Sequence, residues 1–213
     1  MTWSILAHDP QTGAFGVAVT TCAFAVGAFC PHILPGKGAL STQATTNPLF
    51  GIDGLAFLAQ DMSADQALDR LVAADPGQAR RQLHILDAAG RIAQHTGSDC
   101  ITWAGAVRGE RVSVAGNMLA GPQVVQATLE RFLATEGTPL GERFLTALDA
   151  GQRVGGDKRG KQSAAIKIML DQPYPQIDIR VDDHPEPLAE LRRLYGIARL
   201  THMPAYPSRP RVA

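Results

Sequence analysis

The chain has no surplus of either charge. Twenty Lys and Arg balance 20 Asp and Glu over 213 residues, for a formal net charge of zero. Phosphate contacts need a basic surplus, so this balance argues against a nucleic-acid-binding protein. It excludes no small substrate. Cysteine is scarce: Cys22, Cys30 and Cys100 make an odd count with no Cys-x-x-Cys pair. That suits reduced, buried thiols better than a disulfide framework or a zinc site. No apolar run approaches the roughly 18 residues that a membrane span needs. Residues 1–9 have neither the basic region nor the apolar stretch of a secretory signal. A cytoplasmic protein with no membrane partner is therefore expected. Disorder is excluded in turn, because 45% of the residues are apolar and the length suffices for one good-sized core.

What is present begins with a period of two. Over residues 2–8, Trp3, Ile5 and Ala7 share one face and Thr2, Ser4 and Leu6 the other, as in a strand. Asp9-Pro10-Gln11-Thr12-Gly13 reads as a turn, and residues 15–21 return as a second strand. The small apolar stretch 23–30 reads as a third. Residues 39–44, after the turn Gly36-Lys37-Gly38, read as a fourth. The period then lengthens: Ile52, Leu55 and Leu58 mark a helix. Ser63-Ala64-Asp65-Gln66 is a capping-box signature, because the Ser side chain can accept from the third amide while the Gln reaches back. Behind it Ala64, Ala67, Leu68, Leu71 and Val72 form an apolar stripe. Two hairpins follow, 82–87 with 91–96 and 101–107 with 112–115. Helices are expected over 122–135 and 140–150, strands over 162–170 and 177–182, and a last helix from Pro187.

Strands come in antiparallel blocks separated by helices, not in β-α-β alternation, which argues against a parallel sheet. The expected fold class is α+β: a four-layer αββα sandwich with two antiparallel sheets between helices, occupying residues 1–198. Residues 199–213, rich in Pro, form a tail that cannot build its own core. Its apolar groups are Met203, Tyr206 and Val212. The tail is expected to lie against another subunit of a homo-oligomer, most simply a two-fold dimer.

Several phrases, in order, carry a resemblance: Thr2-Trp3-Ser4-Ile5 with Gly16-Val17-Ala18-Val19; Ser41-Thr42-Gln43-Ala44 followed by Asn47-Pro48; Thr102-Trp103-Ala104-Gly105; Gly116-Asn117-Met118-Leu119-Ala120-Gly121; Gly155-Gly156-Asp157-Lys158-Arg159-Gly160-Lys161-Gln162-Ser163; and Arg180-Val181-Asp182-Asp183-His184-Pro185. Together they resemble the domain-of-unknown-function 1028 family, placed with the N-terminal-nucleophile (Ntn) hydrolase-like proteins. The resemblance implies the Ntn-hydrolase-like sandwich and supplies no substrate.

Thr2 is the leading candidate for chemistry. An Ntn hydrolase attacks with the side chain of its first mature residue and uses its own α-amine, with a reference pKa of about 7.7–8.0, as base. Thr is small enough for an aminopeptidase to remove Met1. The plainer reading makes Thr2 an ordinary strand-opening residue. Asn117, between a strand and a helix, can cap that helix or donate to an oxyanion. Asp157 can orient an amine or pair with Arg159. Arg159 and Lys161 are candidates for a substrate carboxylate beside glycine-exposed amides, against the alternative of a solvated basic turn. Gln43 and Asn47 form a second donor set. Gly155 to Lys161 matches most of a phosphate-binding loop, but Gln162 stands where Ser or Thr must bind magnesium. Asp182-Asp183-His184 reads as a helix cap rather than a metal site, so no metal and no cofactor are expected. The expected activity is an Ntn-type hydrolase acting on an amide of a small molecule or peptide. The alternative is a non-catalytic ligand-binding or scaffolding relative.

Overall fold

The computed structural model describes residues 2–202. In chain order its elements are β1 (Thr2–Asp9), β2 (Ala14–Thr21), β3 (Pro31–Leu34), β4 (Gly38–Ala44), α1 (Leu49–Ala59), α2 (Ala64–Ala74), β5 (Arg81–Asp87) and β6 (Ile92–Thr96). There follow β7 (Gly105–Gly109), β8 (Val112–Asn117), α3 (Gln123–Leu133), α4 (Leu140–Arg153), β9 (Ser163–Met169), β10 (Ile177–Val181) and α5 (Pro187–Ile197). The strands form two antiparallel sheets, ordered β10-β9-β2-β1-β8-β7 and β3-β4-β5-β6. Among the described residues no helix is long and apolar enough to cross a membrane.

The period of two in β1 sorts its side chains between layers. Trp3, Ile5 and Ala7 join Val112, Val114, Phe144, Leu148 and Leu191 in the core between the six-stranded sheet and α3, α4 and α5. Leu6 faces the other way, against Val17, Ile33, Leu86 and Ile92, in the layer between the sheets. On the far side of the four-stranded sheet, Leu40, Leu83 and Ile85 pack under Phe50, Leu58 and Leu71 of α1 and α2. The result is the expected αββα sandwich. Each fully buried aliphatic side chain contributes about 1.5–3 kcal/mol, so the three apolar layers dominate its stability. The capping box forms as read: Ser63 Oγ accepts from Gln66 N, and Gln66 Oε1 accepts from Ser63 N.

Three local expectations are corrected. Residues 23–30 make no strand; they hold a 3-10 turn, Val26–Ala28, and the strand comes after it, at β3. Val26 and Cys30 bury against Val19 and Ala165, so the apolar residues are absorbed by a folded loop. Gly27 allows this, since a Cβ there would stand 2.5 Å from that of Ala165. In α1, Ile52 points to solvent, 62% exposed, and the helix instead turns Gly51 and Gly54 inward. A Cβ on Gly51 would lie 2.2 Å from the His32 ring, so close approach of helix to sheet wins over an apolar stripe. Residues 101–104 precede β7 and form no strand; the carbonyls of Ile101 and Trp103 accept from the amides of Met118 and Leu119 instead. Past α5, residues 198–202 continue as a π-helical turn. The rest of the tail, with Met203, Tyr206 and Val212, lies outside the described residues.

Candidate functional site

Register brings three polar residues to one end of the six-stranded sheet. Thr2 on β1 is opposite Thr21 on β2 and opposite Asn117 on β8. The Thr2 hydroxyl donates to Thr21 Oγ1 at 3.2 Å. Asn117 Nδ2 donates to Gln82 Oε1 at 3.0 Å and stands 3.5 Å from the Thr2 carbonyl oxygen. All four side chains are buried, Thr2 to 8% exposure.

Behind this cluster the inter-sheet layer is polar. Ser4 shares the face of Thr2, as alternation requires, and donates to Gln43 Oε1 at 2.7 Å. Its oxygen is then free to accept from His84 Nε2 at 2.8 Å. That leaves His84 Nδ1 to accept from Ser113 Oγ at 2.7 Å. The arrangement assigns His84 the neutral Nε2–H tautomer. Burial agrees, pushing its pKa down to about 3. Gln43 Nε2 donates to Gln82 Oε1 and to the Ala115 carbonyl. Gln82 Nε2 in turn reaches Thr96 Oγ1 and the Gly116 carbonyl. Buried amides so fully engaged hold their neighbours in one geometry.

A second anchor lies one residue past Thr21. The Asp157 carboxylate, 4% exposed, accepts from the amides of Cys22 (2.9 Å) and Arg159 (2.7 Å) and pairs with the Arg159 guanidinium at 3.3 Å. Asp157 also bridges Leu119 in antiparallel fashion, so the turn after β8 and the loop before β9 are tied together beside Thr2 and Thr21. A pocket of about 220 Å³ opens next to Asn117 and Met118, walled by Arg80, Asp99, Cys100 and Ile101.

Residues 2–191 match the model of a family of unknown function, DUF1028. The chain belongs to the DUF1028 family. The DUF1028 chain is similar to the crystal structure of protein SPO2555 from Silicibacter pomeroyi, also assigned to DUF1028: 32% identity, 95% of this chain and 88% of that one, TM-score 0.89. It is also similar to Anbu (ancestral beta-subunit) from Yersinia bercovieri, at 12% identity over 98% of this chain and 100% of that one, TM-score 0.44. The Anbu (Gly-1) mutant from Hyphomicrobium sp. strain MC1 gives 12% identity, 96% and 99% coverage and a TM-score of 0.45. No curated protein matches.

In this DUF1028 chain the residues singled out from sequence divide into two groups. Thr2, Asn117, Asp157 and Arg159 gather at one end of the sandwich. Gln43 is sealed between the sheets, fully buried, with its whole amide engaged. Asn47 stands at the start of α1, accepting from Leu49 N and reaching toward Asp75. Lys161 pairs with Glu186 at 2.5 Å. Asn117 caps no helix: it ends β8 and turns its amide between the sheets, while α3 starts after Pro122. The turn 116–121 does not offer the amides expected of it. Those of Met118, Leu119 and Ala120 donate to the carbonyls of Ile101, Trp103 and Gly156. Asp183 accepts from Gln162 Nε2 rather than capping α5. Sequence reasoning missed Gln82 and His84. They alternate with Leu83 and Ile85, a pattern that a solvent-facing strand side would give equally well. Thr21, at the end of the second strand, carries no sequence signal beyond that of a strand residue.

Proposed function

We propose that the chain is an Ntn-hydrolase-like amidohydrolase in which Thr2, freed of the residue before it, is the nucleophile. The observation that carries this reading is the convergence of Thr21, Asn117 and the Asp157-anchored loop on Thr2 at the end of a central strand. The chemistry balances simply. The α-amine of Thr2 takes the hydroxyl proton, and Oγ1 bonds to the substrate carbonyl carbon. The C–N bond then breaks, with the proton passing to the leaving nitrogen, and water hydrolyses the ester that remains. The Asn117 N–H at 3.5 Å from the Thr2 carbonyl is at the edge of hydrogen-bond range. It is the donor most available to a developing oxyanion. Asp157 fixes Arg159 beside the site, where a guanidinium favours a substrate carboxylate.

A second reading, a non-catalytic ligand-binding relative, is favoured by one observation. Among the described residues the hydrogen-bond partner of the Thr2 hydroxyl is another hydroxyl, not an ionisable side chain. If the residue before Thr2 stays in place, the backbone nitrogen is an amide and no base remains.

The experiment follows from that difference. Intact mass separates chains that begin at Thr2 from chains that keep Met1, and each preparation is assayed against a panel of amino-acid and peptide amides. Hydrolysis by the Thr2-initiated form alone, lost in Thr2→Ala, is the expected result. Full activity in a preparation that is entirely Met1-bearing, or in Thr2→Ala, overturns it.

A further inference from the structure

The pocket beside Asn117 has two opposite charges that do not meet. Arg80 ends the 3-10 turn Gln78–Arg80 and Asp99 lies just past β6; both line the pocket and both are exposed. Their backbones are fastened. The Asp99 amide donates to the Ala79 carbonyl at 2.7 Å, and the Thr45 amide donates to the Arg80 carbonyl at 3.1 Å. Yet among the described residues the Arg80 guanidinium has no hydrogen-bond or ion-pair partner. Among the same residues the Asp99 carboxylate accepts only from Ser98 Oγ, at 3.2 Å. The next residue shows the contrast: Arg81 is committed to Asp75 at 2.7 Å and to the Thr45 carbonyl. The rest of the lining is uncharged: Ala44, Ile101, Met118, Thr45, Asn117 and the Cys100 thiol, whose pKa burial raises.

We infer that this pocket binds the head of a zwitterionic amino acid, its carboxylate on Arg80 and its ammonium on Asp99. A cation and an anion carried on tethered backbone and lining one small cavity match a ligand that carries both signs, and each charge-assisted bond adds orientation as well as attraction. A volume of about 220 Å³ lies below the range usual for drug-sized ligands and suits a small metabolite. Asn117 is the common wall of this pocket and the Thr2 cluster. The inference therefore rests on the Thr2 reading for one consequence: the bond cleaved is an amide on the amino acid's side chain, since both head groups are engaged.

The probe is L-glutamine, titrated into the full chain carrying Thr2→Ala so that binding is read without turnover. N-acetyl-L-glutamine lacks the ammonium and L-glutamine α-amide lacks the carboxylate. Each is expected to bind at least about tenfold more weakly than L-glutamine. Arg80→Gln should erase the discrimination against the α-amide and leave that against the acetyl compound; Asp99→Asn should do the reverse. Arg80→Lys, which keeps the charge, should retain part of the first. All are surface substitutions, and an unchanged melting temperature without ligand confirms that the variants are folded. Equal binding of the three compounds, or no binding of any, overturns the inference. The two proposals fail separately. Binding of L-glutamine without hydrolysis by Thr2-initiated protein sinks the nucleophile. Hydrolysis of other amides without any response to Arg80→Gln or Asp99→Asn sinks the zwitterion site.

Discussion

Asn117 and Gln82 belong to different sheets and are joined by a 3.0 Å hydrogen bond across the gap between them. Gln82 Oε1 accepts from Gln43 as well, and its nitrogen bonds to Thr96 and to the backbone of β8. One side chain thus ties β4, β6 and β8 to β5. Replacing it with Leu would leave several buried donors and acceptors without partners, each costing about 1–3 kcal/mol. Gln82→Leu is expected to lose about 3 kcal/mol or more in urea denaturation. Gln82→Glu is expected to be harmful too, because a buried charge replaces a donor. A loss under about 0.5 kcal/mol for Gln82→Leu would mean that the network adds little.

His84 gives the fold a pH dependence of known sign. Burial depresses its native pKa from 6.5 to about 3. Below pH 6.5 the unfolded chain therefore takes up a proton that the native state refuses. The contribution of His84 is complete above pH 6.5 and declines toward pH 3, by about 1.4 kcal/mol per pH unit for one such group. His8 and His32 are also depressed by burial, so the test is a difference. Denaturation curves of the parent and His84→Gln at pH 7, 5.5 and 4.5 should converge as the pH falls. Parallel curves would show that His84 does not titrate on unfolding.

The inward face of α1 predicts an inversion of ordinary expectation. Gly51→Ala places a methyl within 2.2 Å of the His32 ring and should destabilise by about 1–3 kcal/mol, although Ala favours helices. Ile52→Ser, at a position 62% exposed, should change stability by less than about 0.5 kcal/mol. Thermal melts of the two variants decide it; the reverse order would put Ile52 inward after all.

Asp157 is expected to act as a clamp on its loop. Asp157→Ala removes the acceptor for the amides of Cys22 and Arg159. It should cost about 1–3 kcal/mol and open the segment 155–162 to limited proteolysis. Cleavage at the parent's rate would show that the loop is held by other means.

Thr2→Ala separates chemistry from folding. One hydroxyl hydrogen bond is lost, worth about 1 kcal/mol, which in a chain of this size moves the melting temperature by about 2–4 °C. Any hydrolysis should disappear entirely. A much larger fall in melting temperature would make lost activity uninformative.

How much of this was legible follows from which signals are local. The period of two in residues 2–8 and the capping box at Ser63 depend on neighbours in sequence, and both formed as read. The hairpin from Gln82 to Thr96 did too. The Thr2–Asn117 meeting needed a pairing across more than a hundred residues, which no window of sequence contains. Residues 23–30 misled because small apolar side chains serve a folded loop as readily as a strand. Ile52 misled because two glycines, silent in an apolar count, set the face of α1. Gln82, His84 and Ser113 alternate with apolar residues as though one side were wet. Polarity alone does not say whether the wet side meets water or another sheet's polar groups.

The inter-sheet layer is divided: Leu6, Val17, Ile33 and Leu86 fill one part of it, and Ser4, Gln43, Gln82, His84 and Ser113 the other. Apolar contacts are non-directional, whereas hydrogen bonds fix angle as well as distance. The polar part therefore behaves as an alignment key, engaging only when the two sheets are in one mutual position. Drift in sequence should be easy in the apolar part, one methyl at a time. In the keyed part a change is tolerated only when its partners change with it, so the positions around Thr2 would have to be redesigned as a set.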